Sequence, residues 1–563
     1  MKKRQLRMAP FLLLILILTG CVEKTLGNDM EQEEVQQPVE PIAAAIPIDD
    51  KRLYEQDQDD KIKTFYLTIL PNEKFPHLDW DGLNEISARF AEEKLNVILS
   101  EGAPNGVGPM EGMFGANETT ANASISIRGN SSRSMPQKSY KIKLKDHAGN
   151  WQDQQTININ KHISDSSRLT NKLSFDLMET IPNISSIRTQ FIHLYVKDAT
   201  AGSTSYVDYG LYTQMEQPNK QFLGNHLFDP NGYLYKVTFF EFDRYPDKIR
   251  AHTDEKFDRK AFESILEIKG RDEHDKLIAM LNDVNDYSLP INEVVERHFD
   301  EENILTWAAV NLLMDNMDTD ANNFFLYSPL NADTWLILPW DYDGGWDVGR
   351  SQEFFKPYQY GISHYWGNRL LNRYFRSQEN VDKLTAKMEE LYGSYINEET
   401  VQKQLDLYAP LVKPYVQRYP DNEYLPSLNK TYDQLLTDIV NTPKKALQRY
   451  YEDLEKPKPF FMTHDVLLEG NEHVFGWGIS FDLQGDELYY DVTIAQDPEL
   501  QQVVHSEKRI RTNKIRVPEL AKGVYYWKVT VTDAQGNTQT SFDMYKDRKT
   551  NIYHFGILRL EVE

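Results

Sequence analysis

The stretch NMDTDANNFFLYSPLNADTWLILPWDYDGGWD, residues 316–347, constrains the fold more than any other part of the chain, because six aspartates surround two apolar runs. The runs, FFLYS at 324–328 and WLILPW at 335–340, are joined by PLNADT and read as an antiparallel hairpin. Such a hairpin brings its far end back beside its start. If Phe324 pairs near the end of the second run, Asp341 returns beside Asn323, and the loop before the first strand meets the loop after the second. Carboxylates that converge beside buried strands must lose water or find a cation. A hard divalent cation with oxygen ligands, Mg²⁺ carrying a phosphate, meets that need.

Three readings compete for this cluster. A calcium loop starting at Asp318 fits D-x-D-x-N, yet it requires Gly at its sixth place and Glu at its twelfth, where the chain has Asn323 and Pro329. A glycosyltransferase could use Asp341-Tyr342-Asp343 to hold the metal of a sugar nucleotide, but the βαβ repeats of such a domain are missing upstream. The third reading is phosphoryl transfer: Asp318 and Asn323 have the D-x-x-x-x-N spacing of a kinase catalytic loop, with Asp341 beyond a hairpin in place of the second metal-binding Asp. Asp320, Asp333 and Asp347 read as residues that cap and solvate hairpin ends.

The remainder of the 563-residue chain sets the frame. That length predicts about two or three domains. A formal charge of −24 argues against a duplex-binding protein, which needs clustered Lys and Arg. Residues 1–20 (MKKRQLRMAPFLLLILILTG) read as a secretory signal. Leu18-Thr19-Gly20-Cys21 resembles a bacterial lipobox, which implies cleavage before Cys21, lipidation of its thiol and attachment to the extracytoplasmic face of a cell membrane. Cys21 is the only cysteine, so no disulfide is expected. Residues 21–60 are acidic and read as a disordered tether. From 61 to 455 strands and helices mix. Strands are expected at 124–127 and 139–145, and helices near 83–95 and over 165–180 (with Asp165 as cap), 260–283 and 302–315, with three or more between 379 and 455. Pro457 and Pro459 look like a linker to an all-β domain over 458–563. The fold class expected is α+β followed by a small β-sandwich.

A second constellation bears on the first. Between Arg128 and Lys145 stand six bases and no acid, in a chain that is otherwise acidic. The loop RGNSSRSMP offers backbone N–H groups and two guanidinium forks, which suit polyphosphate oxygens, although no Walker A pattern is present. Lys143 and Lys145 read as the wet face of an edge strand, whereas Arg128, Arg133, Lys138 and Lys141 are candidates for phosphate.

RGNSSRSMPQKSYKIKL, TNKLSFDL, GLYTQMEQPNKQFL, the Asp318–Asn323 loop and LPWDYD together resemble the CotH kinase family of atypical protein kinases, in matching order over roughly residues 60–450. The resemblance implies a protein-kinase-like fold that uses ATP and Mg²⁺ to phosphorylate Ser or Thr on partner proteins, surface or spore-coat proteins among them. It implies Asp318 as the catalytic aspartate, Asp341 and Asn323 as metal ligands, and Arg128, Arg133, Lys138 and Lys141 as phosphate contacts. Met215, Glu216 and Gln217 are similar in place to a kinase hinge facing adenine, and equally to a plain strand end. Thr170 stands where the family often has Arg before Asn-Lys. Gly523, Tyr526, Trp527 and the turn at 533–537 look similar to the end of a fibronectin type III sandwich. The alternative from another class is a catalytically silent surface-binding lipoprotein.

Overall fold

A computed structural model describes residues 49–88, 92–129, 131–346, 356–426 and 429–563, the side chains of 56 and 131 excepted. The described residues belong to one compact unit, Pro47–Glu563. The expected signal segment, Cys21 and Asp347 lie outside them.

Period-2 alternation builds the first half. Strands β1 (Lys63–Leu70), β2 (Leu95–Glu101), β3 (Ala123–Arg128), β4 (Ser139–Leu144), β5 (Thr156–Asn160), β6 (Thr189–Asp198) and β7 (Val207–Glu216) close into a barrel in the order β1-β2-β3-β4-β5-β7-β6, sealed by the parallel pair β1–β6. Ala123, Ile125 and Ile127 of β3 and Tyr140, Ile142 and Leu144 of β4 fill its interior, so Lys141 and Lys143 point out into solvent. Helix α1 (Trp80–Glu85) packs Trp80 on Tyr140, with ring centroids 5.0 Å apart. The helix expected near 83–95 is therefore displaced and short, because Leu95, Val97 and Leu99 alternate into the barrel core as strand β2. Helix α2 (Thr170–Met178) is entirely buried. Asp165 caps it from five residues upstream, accepting from Thr170 N at 3.0 Å and Thr170 Oγ1 at 2.9 Å.

The disordered tether expected over 21–60 does not hold for its last twelve residues, 49–60. Residues 49–60 are folded against the body, because three of their carboxylates meet buried cations: Asp49 with His226 at 2.7 Å, Asp57 with Arg188 at 2.8 Å and Asp59 with Lys172 at 2.6 Å. Pairing of this kind is what makes buried charge tolerable.

In the second half, α3 (Lys220–Asn225) precedes β8 (Tyr233–Val237), and the helix expected over 260–283 is two helices, α4 (Arg259–Glu263) and α5 (Asp275–Asn285), separated by β9 (Leu266–Ile268). The helical spacing of Phe262, Ile265 and Leu266 is overridden because β9 finds an edge, pairing Leu266 with Val237. Helices α6 (Ile291–His298) and α7 (Glu301–Leu313) follow, then β10 (Phe324–Ser328) and β11 (Leu336–Pro339), in a sheet ordered β11-β10-β8-β9. Helix α7 is buried from Asn303 to Leu313. The Asn303 amide fixes the hairpin to it, accepting from Ile337 N at 2.7 Å and donating to Ile337 O at 3.3 Å. Helices α8 (Arg369–Tyr374), α9 (Gln378–Ser394), α10 (Glu398–Val416) and α11 (Tyr432–Leu454) complete this body. No helix among the described residues is long and apolar enough to cross a membrane.

Beyond residue 460 the described elements are strands: β12 (Leu467–Glu469), β13 (Glu472–Gly476), β14 (Tyr489–Ala495), β15 (Val503–Ile510), β16 (Lys514–Pro518), β17 (Gly523–Thr532), β18 (Thr538–Thr540), β19 (Met544–Lys546), β20 (Tyr553–Phe555) and β21 (Ile557–Val562). Their core is a separate cluster around Phe475, Trp477, Tyr490 and Trp527. The expected linker is buried, with Lys458 at 0% exposure. Aromatic residues close the joint: Tyr358 Oη donates to Phe542 O at 2.9 Å, and Trp366 stacks on Phe481 at 5.6 Å.

Candidate active site

The β10–β11 hairpin has the register that its sequence suggests, with Phe324 opposite Pro339 and Trp340 N donating to Asn323 O at 3.2 Å. Asn323 and Asp341 flank this open end, both in the left-handed region at φ +58° and +57°. That conformation costs an ordinary residue about 1–2 kcal/mol, and it turns both side chains out of the strand alternation. Asn323 Nδ2 donates to Asp318 Oδ2 at 2.9 Å, so the catalytic-loop pair is in direct contact.

Two side chains that the sequence reading did not single out complete the acidic side. Asn171 of α2 accepts from Tyr342 N at 3.3 Å and donates to Asp341 Oδ1 at 3.4 Å. The same amide nitrogen lies 3.3 Å from His162 Nε2, and His162 Nδ1 lies 3.3 Å from Asp343 Oδ2. Since Asn171 can only donate from that nitrogen, the imidazole proton belongs on Nδ1, where it is given to Asp343. Trp346 ties the segment down from behind: its indole donates to Ser174 Oγ of α2 at 2.8 Å.

The charges in this cluster work on one another. Burial, then the Asp343 charge, raises the Asp341 carboxyl to about 6, against the pull of His162, Arg128 and Lys236. Asp318 opens to solvent on one side, yet the protein around it, followed by Asp320 and Asp343, holds its pKa above the usual carboxylate range. Arg128, at the end of β3, donates to Asn160 Oδ1 and lies 5.7 Å over the Trp340 ring. Lys236 of β8 lies 5.7 Å over the same ring. Burial lowers Arg128 to about 10 and Lys236 in the same direction, and the charge of Asp341 opposes both shifts. Lys141 is within electrostatic reach of Arg128.

The other expected contacts lie elsewhere. Arg133 donates to the carbonyls of Gly129, Ala88 and Ile127, and Lys138 to the carbonyl of Arg133, so both close the basic loop instead of facing the acids. Met215 is the plain strand residue, paired with Asn158 on one side and Thr189 on the other, which leaves its backbone no free edge for a base. Glu216 is buried and takes His226 Nε2 at 3.0 Å and Arg188 N at 3.1 Å. Gln217 accepts from Asn158 Nδ2 at 3.1 Å.

Asp318, Asn323, Asp341 and Asp343 bring oxygen atoms to one end of the hairpin, but Asp318, Asp341 and Asp343 do not each offer an oxygen within 4.8 Å of the other two, so one hard cation shared by all three would require these side chains to close in. Burial, with the Asp343 charge adding to it, raises Asp341, and a cation bound beside it would offset that cost. Arg128 and Lys236 stand on the other side for anionic oxygens.

Comparison with known proteins bears on this geometry. The inner spore coat protein H of Bacillus subtilis (strain 168) is 22% identical over 370 residues, covering 64% of this chain and 87% of that protein. Among solved structures, a chain of the HipA, HipB and operator DNA complex of the Shewanella oneidensis MR-1 toxin–antitoxin system aligns over 53% of this chain and 58% of its own length, at 10% identity and a TM-score of 0.21. The family model of the CotH kinase protein matches residues 125–448, more than half of the chain, a span that takes in Arg128, Asn171, Lys236, Asp318, Asn323 and Asp341. The chain therefore belongs to the CotH kinase protein family.

Proposed function

We propose that this protein is an ATP- and Mg²⁺-dependent kinase that transfers the γ-phosphoryl group to Ser or Thr hydroxyls of surface or coat proteins. One observation supports the reading: the open end of a single hairpin carries Asp318, Asn323 and the Asp341–Asp343 pair near two half-buried cations, Arg128 and Lys236. Asp318 sits at the solvent edge, where an incoming hydroxyl can arrive, and its raised pKa suits it to take that proton. As the hydroxyl oxygen bonds to phosphorus, the bond to the β,γ-bridging oxygen breaks and ADP leaves with the electron pair. Asp341, Asp343 and Asn323 would hold Mg²⁺, whose charge shields the phosphate oxygens. Arg128 and Lys236 bind and orient those oxygens, and the Trp340 ring beneath both cations excludes water. His162 and Asn171 fix the carboxylates by hydrogen bonds.

The relative's description as a spore coat protein supports a coat or surface location, and the lipobox at Cys21 supports membrane tethering. The strands beyond 460, with Gly523, Tyr526, Trp527 and the 533–537 turn, belong to this reading as a fibronectin type III-like module that binds or spaces. Thermal unfolding of the full chain with ATP, with and without Mg²⁺, tests the nucleotide site. Binding at a hundredfold excess over Kd adds about 2.7 kcal/mol, so a metal-dependent rise in midpoint is expected. No rise would favour the silent surface-binding protein.

A further inference from the structure

We propose a second metal site, for Ca²⁺, formed by Asp482, Asp486 and Asp533 where the C-terminal strands meet helix α11. It is independent of the phosphoryl-transfer reading. One carboxylate oxygen from each of the three lies within 4.8 Å of the other two, a span that matches the diameter of a calcium coordination shell, about 4.6–5.2 Å.

Two loops far apart in sequence create this cluster. In the loop before β14, Gly485 at φ +77° allows a turn that returns Asp486 to Asp482, whose Oδ1 accepts from Asp486 N at 2.8 Å. In the turn between β17 and β18, Asp533 accepts from Gln535 N at 2.9 Å, and from Asn537 N and Asn537 Nδ2 at 2.8 Å each. These bonds fix the carboxylates without neutralising them.

The second observation is an unpartnered oxygen. Asp482 is 7% exposed, and its Oδ2 is buried with no hydrogen-bond partner among the described residues. With Oδ1 given to Asp486, Oδ2 is the oxygen left for a ligand. Asp533 is 4% exposed, so two of the three acids are out of water. Leaving a buried carboxylate oxygen unmatched is costly. The nearby buried ammonium, Lys458, feels the Asp482 charge but gives its hydrogen bond to Asp453 O and lies 3.5 Å from Asp453 Oδ2, so it does not partner Asp482 Oδ2. A divalent cation neutralises the cluster. Calcium suits it better than magnesium, because Mg²⁺ retains several waters for which two buried carboxylates leave little room.

The location gives the site a role. Both loops also grip the end of α11: Gln484 Nε2 donates to Leu454 O at 3.3 Å, and Asn537 Nδ2 to Glu455 O at 3.0 Å. Calcium joining the loops would fasten the C-terminal strands to the helical body. Three carboxylates completed by carbonyls or water place its Kd on the order of 10⁻⁴–10⁻³ M, the range of extracellular calcium modules.

The test uses the full chain, stripped with chelator, and reads Tb³⁺ luminescence sensitised by neighbouring aromatics together with the unfolding midpoint against CaCl₂ up to 10 mM. The proposal expects a calcium-dependent rise in midpoint, competition of Ca²⁺ with Tb³⁺, and at least tenfold weaker binding in Asp482→Asn and in Asp486→Asn. Asp341→Asn should bind calcium as the parent does, and Mg²⁺ at equal concentration should give less than a tenth of the competition. Asp486→Asn alters the more open ligand and keeps the test decisive should Asp482→Asn fold poorly. No calcium response in the parent, an unchanged response in Asp486→Asn, or its loss in Asp341→Asn would overturn the proposal.

Discussion

Replacing Asp341 by Asn should make the metal-free protein more stable at neutral pH while removing its function. Burial and the neighbouring Asp343 raise the carboxyl from 3.8 to about 6. The folded state therefore holds this proton more tightly than the unfolded state does. Stability is lost as pH rises from about 4 to about 6, and above that the penalty is complete. Each pKa unit is about 1.36 kcal/mol, so the shift bounds the penalty near 3 kcal/mol, and partial exposure to solvent reduces it to about 1–2 kcal/mol. Asn mimics the protonated acid. In chelator at pH 7.5, urea unfolding followed by tryptophan fluorescence should give Asp341→Asn about 1–2 kcal/mol over the parent, and the gain should vanish near pH 4. A variant that is less stable at pH 7.5, or a gain that ignores pH, would refute the claim that the Asp341 carboxylate is held charged in a buried place beside Asp343. A stability gain at the price of function is the signature of a site built for a ligand.

Three further outcomes are expected. Lys172, at 0% side-chain exposure, bridges Asp176 at 2.8 Å and Asp59 at 2.6 Å, so Lys172→Met should destabilise the fold by about 3–5 kcal/mol in chemical unfolding, because buried Asp176 loses the cation that holds it ionised and must stay charged unpaired or take up a proton. Burial alone would lower His226, but Glu216 and Asp49 raise it to about 9. Its contribution is full below about pH 6.5 and lost as pH rises through about 9, which thermal unfolding across that window should show as a falling midpoint. Arg128→Gln should weaken ATP binding at least tenfold by calorimetry with little change in stability, whereas Arg133→Gln should lower stability with a smaller effect on ATP, since Arg133 bonds three backbone carbonyls of its own loop.

What could be read from the sequence was what local pattern determines. The hairpin register followed from two apolar runs and a turn: Asp341 was expected beside Asn323, and the pairing of Phe324 with Pro339 puts Trp340 N on Asn323 O, one residue before Asp341. The strands at 123–128 and 139–144 followed from alternation. The misread elements depended on distant partners. Leu266–Ile268 has helical spacing and becomes a strand only because β8 offers an edge. The acids at 49, 57 and 59 look like a solvated run until His226, Arg188 and Lys172 are brought to them across more than a hundred residues. In the site, Lys236 was invisible for the same reason: a single lysine in YLYKV faces Asp341 only through the pairing of β8 with β10, Lys236 opposite Phe325. Asn171 lay in the TNKLSFDL segment, but nothing in its spacing points to Tyr342 N or Asp341. Arg133 and Lys138 carry the right charge for phosphate, and their reach back to carbonyls could be seen only in three dimensions.

The most direct measurement is incorporation of labelled γ-phosphate from ATP and Mg²⁺ into the full chain itself or a Ser-rich protein substrate, comparing the parent with Asp318→Ala and Asp341→Ala. Phosphoryl transfer through the hairpin cluster requires labelling by the parent and background counts from both variants, with the folds verified by circular dichroism. Labelling of Asp341→Ala at the parent's level would contradict it.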